Sequence, residues 1–191
     1  GDIAKAQGQA IINTAAYTAV DKAETEQDLA NLINETAVAE LARITGENDI
    51  LFIDFGPVFE EWEADFGRTY VIGNDPLKIK LSQDIEKAWW EGKEYFESRK
   101  QITGAELYAY THELAKKYEW EFGGEIAGHL IGHFPHESLE KEIKTNYIHP
   151  ENHVDMRAIN QMGVSRSWIL EIHFVDSEKE IGGFFEQLLT F

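Results

Sequence analysis

The segments WILEIHFV at residues 168–175 and GGFFEQLL at residues 182–189 decide the fold class. Both are rich in β-branched and aromatic residues, which predicts two neighbouring strands near the end of the chain. Each strand carries one acid inside its apolar run, Glu171 in the first and Glu186 in the second. A carboxylate at such a position is costly to bury unless it is paired, protonated or bound to a metal ion. One such residue alone is more simply an edge-strand side chain that faces water.

Two further strands are predicted upstream, at Ile50–Phe55 and at Phe66–Ile72, with an acidic and aromatic connection between them. Asp54 stands at the end of the first apolar run, and Asp65 follows eleven residues later, at the start of the second strand. Strand ends are positions where polar side chains can converge over a rigid sheet. Four acids at such positions are more simply explained by one shared site than by four unrelated surface positions.

The rest of the pattern is helical. An Ala-rich stretch predicts a helix over Ile3–Lys22, and Thr25 is a good N-cap for a second helix whose apolar face ends at Leu41. Asp75-Pro76 opens a third helix, and Thr103 with Glu106 forms a capping-box pattern at the start of a fourth. The order of helices, strands, helices and strands predicts an α+β fold in which helices cover a mainly antiparallel sheet. With no repeat or linker, residues 1–191 are expected to form a single domain.

Composition excludes several classes of protein. The chain has 191 residues with 35 acidic and 17 basic side chains, so its net charge is −18, which disfavours binding to nucleic acid or to an anionic membrane surface. It has no cysteine, which excludes disulfides and thiolate metal sites. No apolar run reaches the roughly 18 to 20 residues of a membrane span, and no signal peptide is visible, so a cytoplasmic protein is expected.

One histidine has an unusual sequence context. His129 is flanked by glycines in the motif GHLIGHFPHE at residues 128–137. This motif, DFGP at 54–57, EADFGRT at 63–69, the Glu171 strand and GFFE at 183–186 together resemble the pita-bread metallopeptidases. That family contains methionine aminopeptidase, aminopeptidase P, prolidase and creatinase-like proteins, and the resemblance runs from about Ala23 to Phe191. It implies a curved, mainly antiparallel sheet covered by helices.

The resemblance also implies a dinuclear metal site. In it, Asp54 chelates one ion, Asp65 and Glu186 bridge both ions, and His129 and Glu171 complete the shell of the second ion. The donor chemistry agrees, because four carboxylates and one imidazole suit Mn²⁺ or Co²⁺, with Fe²⁺ and Zn²⁺ as further candidates.

The activity implied is hydrolysis of the N-terminal peptide bond of a peptide substrate, by an aminopeptidase or an Xaa-Pro peptidase. A metal-activated water is the nucleophile, Glu171 carries its proton to the leaving amine, and His136 donates a hydrogen bond to the substrate. The sequence does not fix the oligomeric state, so a homodimer stays open.

Three alternatives compete with this hypothesis. The cluster of His129, His133 and His136 could be a mononuclear zinc site, although there is no HExxH motif. The pita-bread fold also serves metal-free creatine hydrolysis and non-catalytic binding modules, and a fold alone does not settle activity. Residues 11–24 faintly resemble nucleotide-sugar reductases, but without a GxGxxG motif this is expected to be coincidence.

The sequence departs from the family before the first aspartate. Only about a dozen residues separate Glu40 from Asp54, and no histidine precedes His112, whereas the family has further strands and a substrate-binding histidine there. Metal binding is therefore a safer expectation than activity. Of the remaining side chains, His112 is expected to be exposed on its helix, Arg68 to neutralise nearby acids, and His173 to share a strand face with Glu171.

Overall fold

A curved sheet with helices on one face forms the described part of the chain. The computed structural model describes residues 12–13, 46, 48–56, 58–59, 62–132, 143–159, 163 and 165–190. The strands within them are β1 Ile12–Asn13, β2 Ile50–Phe55, β3 Val58–Phe59, β4 Trp62–Glu63, β5 Phe66–Val71, β6 Glu121–Phe122, β7 Leu130–Ile131, β8 Ser167–Asp176 and β9 Ile181–Leu188. Seven of them join one sheet in the order β1-β2-β5-β9-β8-β6, with β7 also paired to β8, and β3 pairs with β4 alone.

Antiparallel pairs dominate the sheet, as the sequence predicts. β2 pairs with β5 from Ile50↔Val71 to Phe55↔Phe66. β8 pairs with β9 along nearly their whole length, from Ile169↔Leu188 to Asp176↔Ile181. The four predicted strands are therefore confirmed, with bounds that differ by one residue or less at each end.

The first predicted helix is wrong at the two residues of it that are described. Ile12 and Asn13 form β1, which runs parallel to β2 and pairs with Phe52 and Ile53. A tertiary pairing therefore overrides the helical preference of this Ala-rich stretch. The second predicted helix, from Thr25 to Leu41, lies outside the described residues.

The long helix α1, Pro76–Glu97, packs against the centre of the sheet. Asp75 caps it, because its carboxylate accepts hydrogen bonds from the backbone N–H groups of Leu77 and Lys78 at 2.9 and 3.3 Å. At mid-helix the indole of Trp89 donates a hydrogen bond to the Leu170 carbonyl oxygen of β8 at 2.9 Å. A Cβ at Gly92 would lie 2.9 Å from the Leu170 side chain, so the glycine permits this close helix-to-strand approach.

The second helix, α2 (Gly104–Lys117), begins with the predicted capping box between Thr103 and Glu106. It packs on α1 through the stacked rings of Tyr95 and Tyr110, whose centroids are 3.8 Å apart. Both helices lie on the sheet face to which Leu170 points. The opposite face, to which Glu171 points, is left for a site. No helix of the described residues has the length and apolar character needed to cross a membrane.

Candidate metal centre

Three acids stand in one line across four adjacent strands. Asp54 of β2 pairs with Gly67 of β5, Gly67 pairs with Glu186 of β9, and Glu186 pairs with Glu171 of β8. Directly opposed residues of neighbouring strands point to the same face of a sheet. The register therefore brings all three carboxylates together on the face that the helices leave open.

A second line of side chains, two residues along each strand, forms an aromatic wall beside the acids. In it, His173 of β8 pairs with Phe184 of β9, and the Phe184 ring lies 5.6 Å from that of Phe52. A Cβ at Gly67 would be 1.9 Å from a ring carbon of Phe184, so a glycine is needed where the ring crosses β5. The two lines border a cleft of about 470 Å³, lined by Phe52, Asp54, Asp65, His129, Glu171, His173, Phe184 and Glu186.

His129 reaches the cleft because its chain segment lies alongside β8. Ile169 donates its backbone N–H to the His129 carbonyl oxygen at 2.9 Å, and Glu171 donates to the Ala127 carbonyl oxygen at 3.0 Å. Gly128, between them, has a φ of +131°, and a Cβ there would lie 2.0 Å from the Ile169 carbonyl oxygen. The glycine before His129 thus allows the backbone approach that places the imidazole over the acids.

The imidazole is oriented by a hydrogen bond. Its Nδ1 lies 2.8 Å from the Leu130 carbonyl oxygen, and since a carbonyl only accepts, Nδ1 carries a proton. Nε2 faces carboxylate oxygens of Asp65, Glu171 and Glu186 at 3.5, 3.6 and 3.9 Å. One ligand atom from each of His129, Asp65 and Glu186 lies within 4.8 Å of the others, as a shared metal ion requires.

The electrostatics show crowded negative charge. Burial, followed by repulsion from Glu171 and Asp65, raises the pKa of Glu186 far above its usual value. Burial and the charge of Asp65 also raise the pKa of Asp54. Burial alone lowers the pKa of His129, but its contact with Asp65 and the charge of Glu171 outweigh burial and raise that pKa to about 9. In the metal-free protein, protons on Glu186 and His129 relieve the repulsion.

The donor set fits divalent metal ions. Glu186 is 3% exposed, and its Oε2 finds no hydrogen-bond partner among the residues that the structure describes. A buried oxygen in that state costs free energy unless something binds it. Four carboxylates and one imidazole whose Nδ1 is already hydrogen-bonded line the cleft, and this oxygen-rich set suits Mn²⁺, Co²⁺ or Fe²⁺.

All five predicted metal ligands converge in this cleft, namely Asp54, Asp65, His129, Glu171 and Glu186. Their role as ligands stays a prediction. The predicted substrate-binding residue His136, and His133 of the alternative zinc site, lie outside the described residues.

The sequence analysis gave expected positions or roles to three other side chains, and the structure shows the contacts of each. Arg68 donates hydrogen bonds to the main-chain oxygens of Gly67 and Glu186, both at 2.7 Å. Its positive charge also opposes the rise in the pKa of Glu186, in line with the expectation that it neutralises nearby acids. His112 is half-buried against Phe122 instead of exposed. His173 does share the face of Glu171, and its Nε2 lies 2.9 Å from Glu171 Oε2.

Sequence reasoning missed Gly67 and the aromatic residues Phe52 and Phe184 as parts of the site. A signal was present, because Phe52 and Phe184 stand two residues before Asp54 and Glu186 and therefore share their face. The role of Gly67 depends on the register between β5 and β9, which no local pattern reveals.

Solved structures with a similar fold include peptidases and a domain that is not described as one. The N-terminal domain of the FACT complex subunit SPT16 from Cicer arietinum matches 75% of this chain with a TM-score of 0.56 and 14% identity, over 33% of that protein. An X-Pro aminopeptidase from Thermotoga maritima matches 77% of this chain with a TM-score of 0.57 and 20% identity, and the match covers 41% of that protein. A methionine aminopeptidase from Rickettsia prowazekii matches 76% of this chain with a TM-score of 0.57 and 17% identity, over 65% of that protein. The fold is therefore similar to that of the pita-bread peptidases, as the sequence resemblance predicted.

Sequence comparison gives a different result for the N-terminal segment. The family model described as RmlD substrate binding domain matches residues 2–57. A dTDP-4-dehydrorhamnose reductase from Salmonella typhimurium is 47% identical over 91 residues, which cover 40% of this chain and 30% of that protein. The expectation that the reductase resemblance was coincidence is therefore wrong. The chain spans less than half the length of the reductase and of the X-Pro aminopeptidase.

Proposed function

We propose that the protein hydrolyses the N-terminal peptide bond of peptides at a site that holds two divalent metal ions. The observation that carries the proposal is the convergence of four carboxylates and His129 in one cleft, where the buried Oε2 of Glu186 has no hydrogen-bond partner among the described residues. The folds of two structural neighbours, the X-Pro aminopeptidase and the methionine aminopeptidase, support it.

The order of the residues in the acid line supports a division of the proposed ligands between two ions. Glu186 stands between Asp54 on one side and Glu171 on the other, which suits a carboxylate that bridges two ions. Asp54 would then bind the ion at one end, and Glu171 with His129 the ion at the other. Asp65 would be the second carboxylate to hold both ions, because its Oδ2 lies 3.5 Å from His129 Nε2 while its charge also acts on Asp54.

When bound, two such ions lower the pKa of a water molecule and polarise a carbonyl group. The chain's own residues supply the rest of the chemistry. Glu171 lines the cleft, where its carboxylate would take the proton of the attacking water and release it to the leaving amine. The acidic cleft also attracts the ammonium group of a free peptide N-terminus. His136 is proposed to donate a hydrogen bond to the substrate.

The reductase resemblance covers only part of the cleft. The matched segment, residues 2–57, contributes β1 and β2 to the sheet, and with β2 the cleft residues Phe52 and Asp54. The other cleft residues come from chain segments beyond it, from Asp65 to Glu186. We therefore assign the cleft to peptide hydrolysis, and we propose no reductase chemistry for it.

The test is hydrolysis of peptides with free and acetylated N-termini by the full chain. We expect release of the first residue from the free peptides only, loss of the activity with a chelator, and recovery with Mn²⁺ or Co²⁺. Glu171→Gln should lower turnover by about 10²- to 10⁴-fold. Glu178→Gln, an exposed acid in the turn before β9, should leave turnover unchanged.

Failure to hydrolyse these peptides and to bind metal would favour the alternative, a binding module. A chain that folds stably, hydrolyses neither peptide and retains no metal would contradict the proposal. Hydrolysis that is insensitive to both the chelator and Glu171→Gln would contradict it as well, because it would come from another site or from a contaminant.

A further inference from the structure

His173 contacts one oxygen of Glu171, and His129 faces the other. The two residues are two apart on β8, so both side chains point into the cleft. His173 Nε2 lies 2.9 Å from Glu171 Oε2, while the other oxygen, Oε1, lies 3.6 Å from His129 Nε2. The two oxygens of Glu171 therefore face different partners.

The roles of the atoms follow from their chemistry. In its Nε2–H tautomer, His173 donates this hydrogen bond and Glu171 Oε2 accepts it. A hydrogen bond from a histidine fixes the rotation of the carboxylate and occupies Oε2. Oε1 is then the oxygen that remains directed towards His129.

The imidazole of His173 is itself held in place. Its ring packs 4.7 Å from the ring of Phe184, its cross-strand partner, and meets the Phe122 ring edge-on at 6.1 Å. On the remaining side, a Cβ at Gly124 would lie 3.1 Å from His173 Cδ2. These contacts restrict the ring to the orientation that reaches Glu171, although 29% of the side chain stays exposed in the cleft.

We propose that His173 is a positioning residue, which holds Glu171 Oε2 so that Glu171 presents Oε1 alone to the metal ion shared with His129. This inference rests on the proposed function only in that a divalent ion binds there. It assigns no direct contact between His173 and the metal or the substrate.

The test compares three variants of the full chain by calorimetric titration of the metal-free protein with Mn²⁺ and with Co²⁺. His173→Phe keeps a ring against Phe184 but has no donor, and it should weaken the binding of one ion by about 10- to 100-fold. His173→Gln has an amide N–H donor and should recover most of that loss. His112→Phe changes a histidine that packs on the other side of Phe122, at 4.8 Å, and should bind both ions as the wild type does.

A second measurement reports on the contact without metal. In the metal-free protein, the Nε2 proton of His173 should give a nuclear magnetic resonance signal protected from exchange with water, and Glu171→Ala should abolish this protection.

The metal titrations separate the proposed function from this inference, because a wild-type chain that binds neither ion contradicts both together. Wild-type binding with unchanged affinity in His173→Phe overturns the inference alone. Equal losses in His173→Gln and His173→Phe would also overturn it, since they would indicate direct coordination by the imidazole.

Discussion

Glu171 and Glu186 are direct cross-strand partners in the centre of the sheet, and both are buried, with exposed fractions of 7% and 3%. Like charges at directly opposed positions of two strands destabilise a sheet, and burial increases the cost. The arrangement therefore requires protons or cations between the two side chains. The proposed metal site supplies cations, and the predictions below follow from that arrangement.

Asp65→Asn should leave the site with at most one of its two ions and should remove most of the turnover. The reason is that a neutral amide replaces the charged carboxylate that is proposed to bridge the ions. Metal content by mass spectrometry after dialysis, together with turnover, measures this. Glu121→Gln is the matched control, since Glu121 is an exposed acid that bonds Ser177 away from the cleft. Unchanged metal content in Asp65→Asn would contradict the bridging assignment.

The metal-free protein should lose stability as the pH rises from about 5 to about 9. His129 has a folded-state pKa of about 9 against a usual value near 6.5, so its stabilising contribution is complete below about 6.5 and is lost as the pH approaches 9. Glu186 and Asp54 act in the same direction, because their raised pKa values mean that folding disfavours the ionised carboxylates. Thermal unfolding across this pH range, with and without Mn²⁺, checks the sign.

Mn²⁺ should flatten the pH dependence, since cations then replace the protons that balance the carboxylates. A melting temperature of the metal-free protein that rises steadily between pH 5 and pH 9 would contradict this account of the cleft. The His129→Gln variant should show a shallower fall above pH 6.5 than the wild type.

Gly67→Ala should destabilise the protein by about 1–3 kcal/mol, because its Cβ would lie 1.9 Å from the buried Phe184 ring. Gly132→Ala is the control, since a Cβ there meets no atom of the described residues within 4 Å. Urea denaturation measures both changes. The double variant Gly67→Ala with Phe184→Leu should be less destabilised than the sum of the two single variants, because the smaller side chain gives way to the new methyl group. Strict additivity would show that the two side chains do not compete for the same space.

Trp89→Phe should cost about 1–3 kcal/mol, because it leaves the buried Leu170 carbonyl oxygen without the indole donor and removes ring volume from the contact between α1 and the sheet. The neighbouring Trp90 is 48% exposed, and Trp90→Phe should change stability by no more than about 0.5 kcal/mol. Equal effects at the two positions would contradict the orientation of α1.

Local patterns predicted much of the fold. The β-branched runs gave the strands at Ile50–Phe55 and Trp168–Val175, and Asp75 and Thr103 were recognisable as caps from the residues beside them. Such signals depend on neighbours within four residues, which a sequence shows directly.

Long-range pairings were less accessible. β1 was predicted as a helix from its Ala-rich local sequence. Its partner β2 lies about forty residues away, and nothing local to Ile12 signals that pairing. The contact of His173 with Glu171 likewise depends on where Phe122, Phe184 and Gly124 hold the imidazole. The strand positions of four acids and the glycine-flanked context of His129 singled out the five candidate ligands, and the family resemblance then assigned their roles. The register that aligns three of the acids emerges from the folded sheet alone.

The most direct test of the central claim is the anomalous scattering of crystals grown with Mn²⁺. We predict two peaks about 3.5–4 Å apart in the cleft, one beside Asp54 and one beside His129 and Glu171, with Asp65 and Glu186 between them. Crystals that are saturated with Mn²⁺ and show no peak in this cleft would contradict the metal centre.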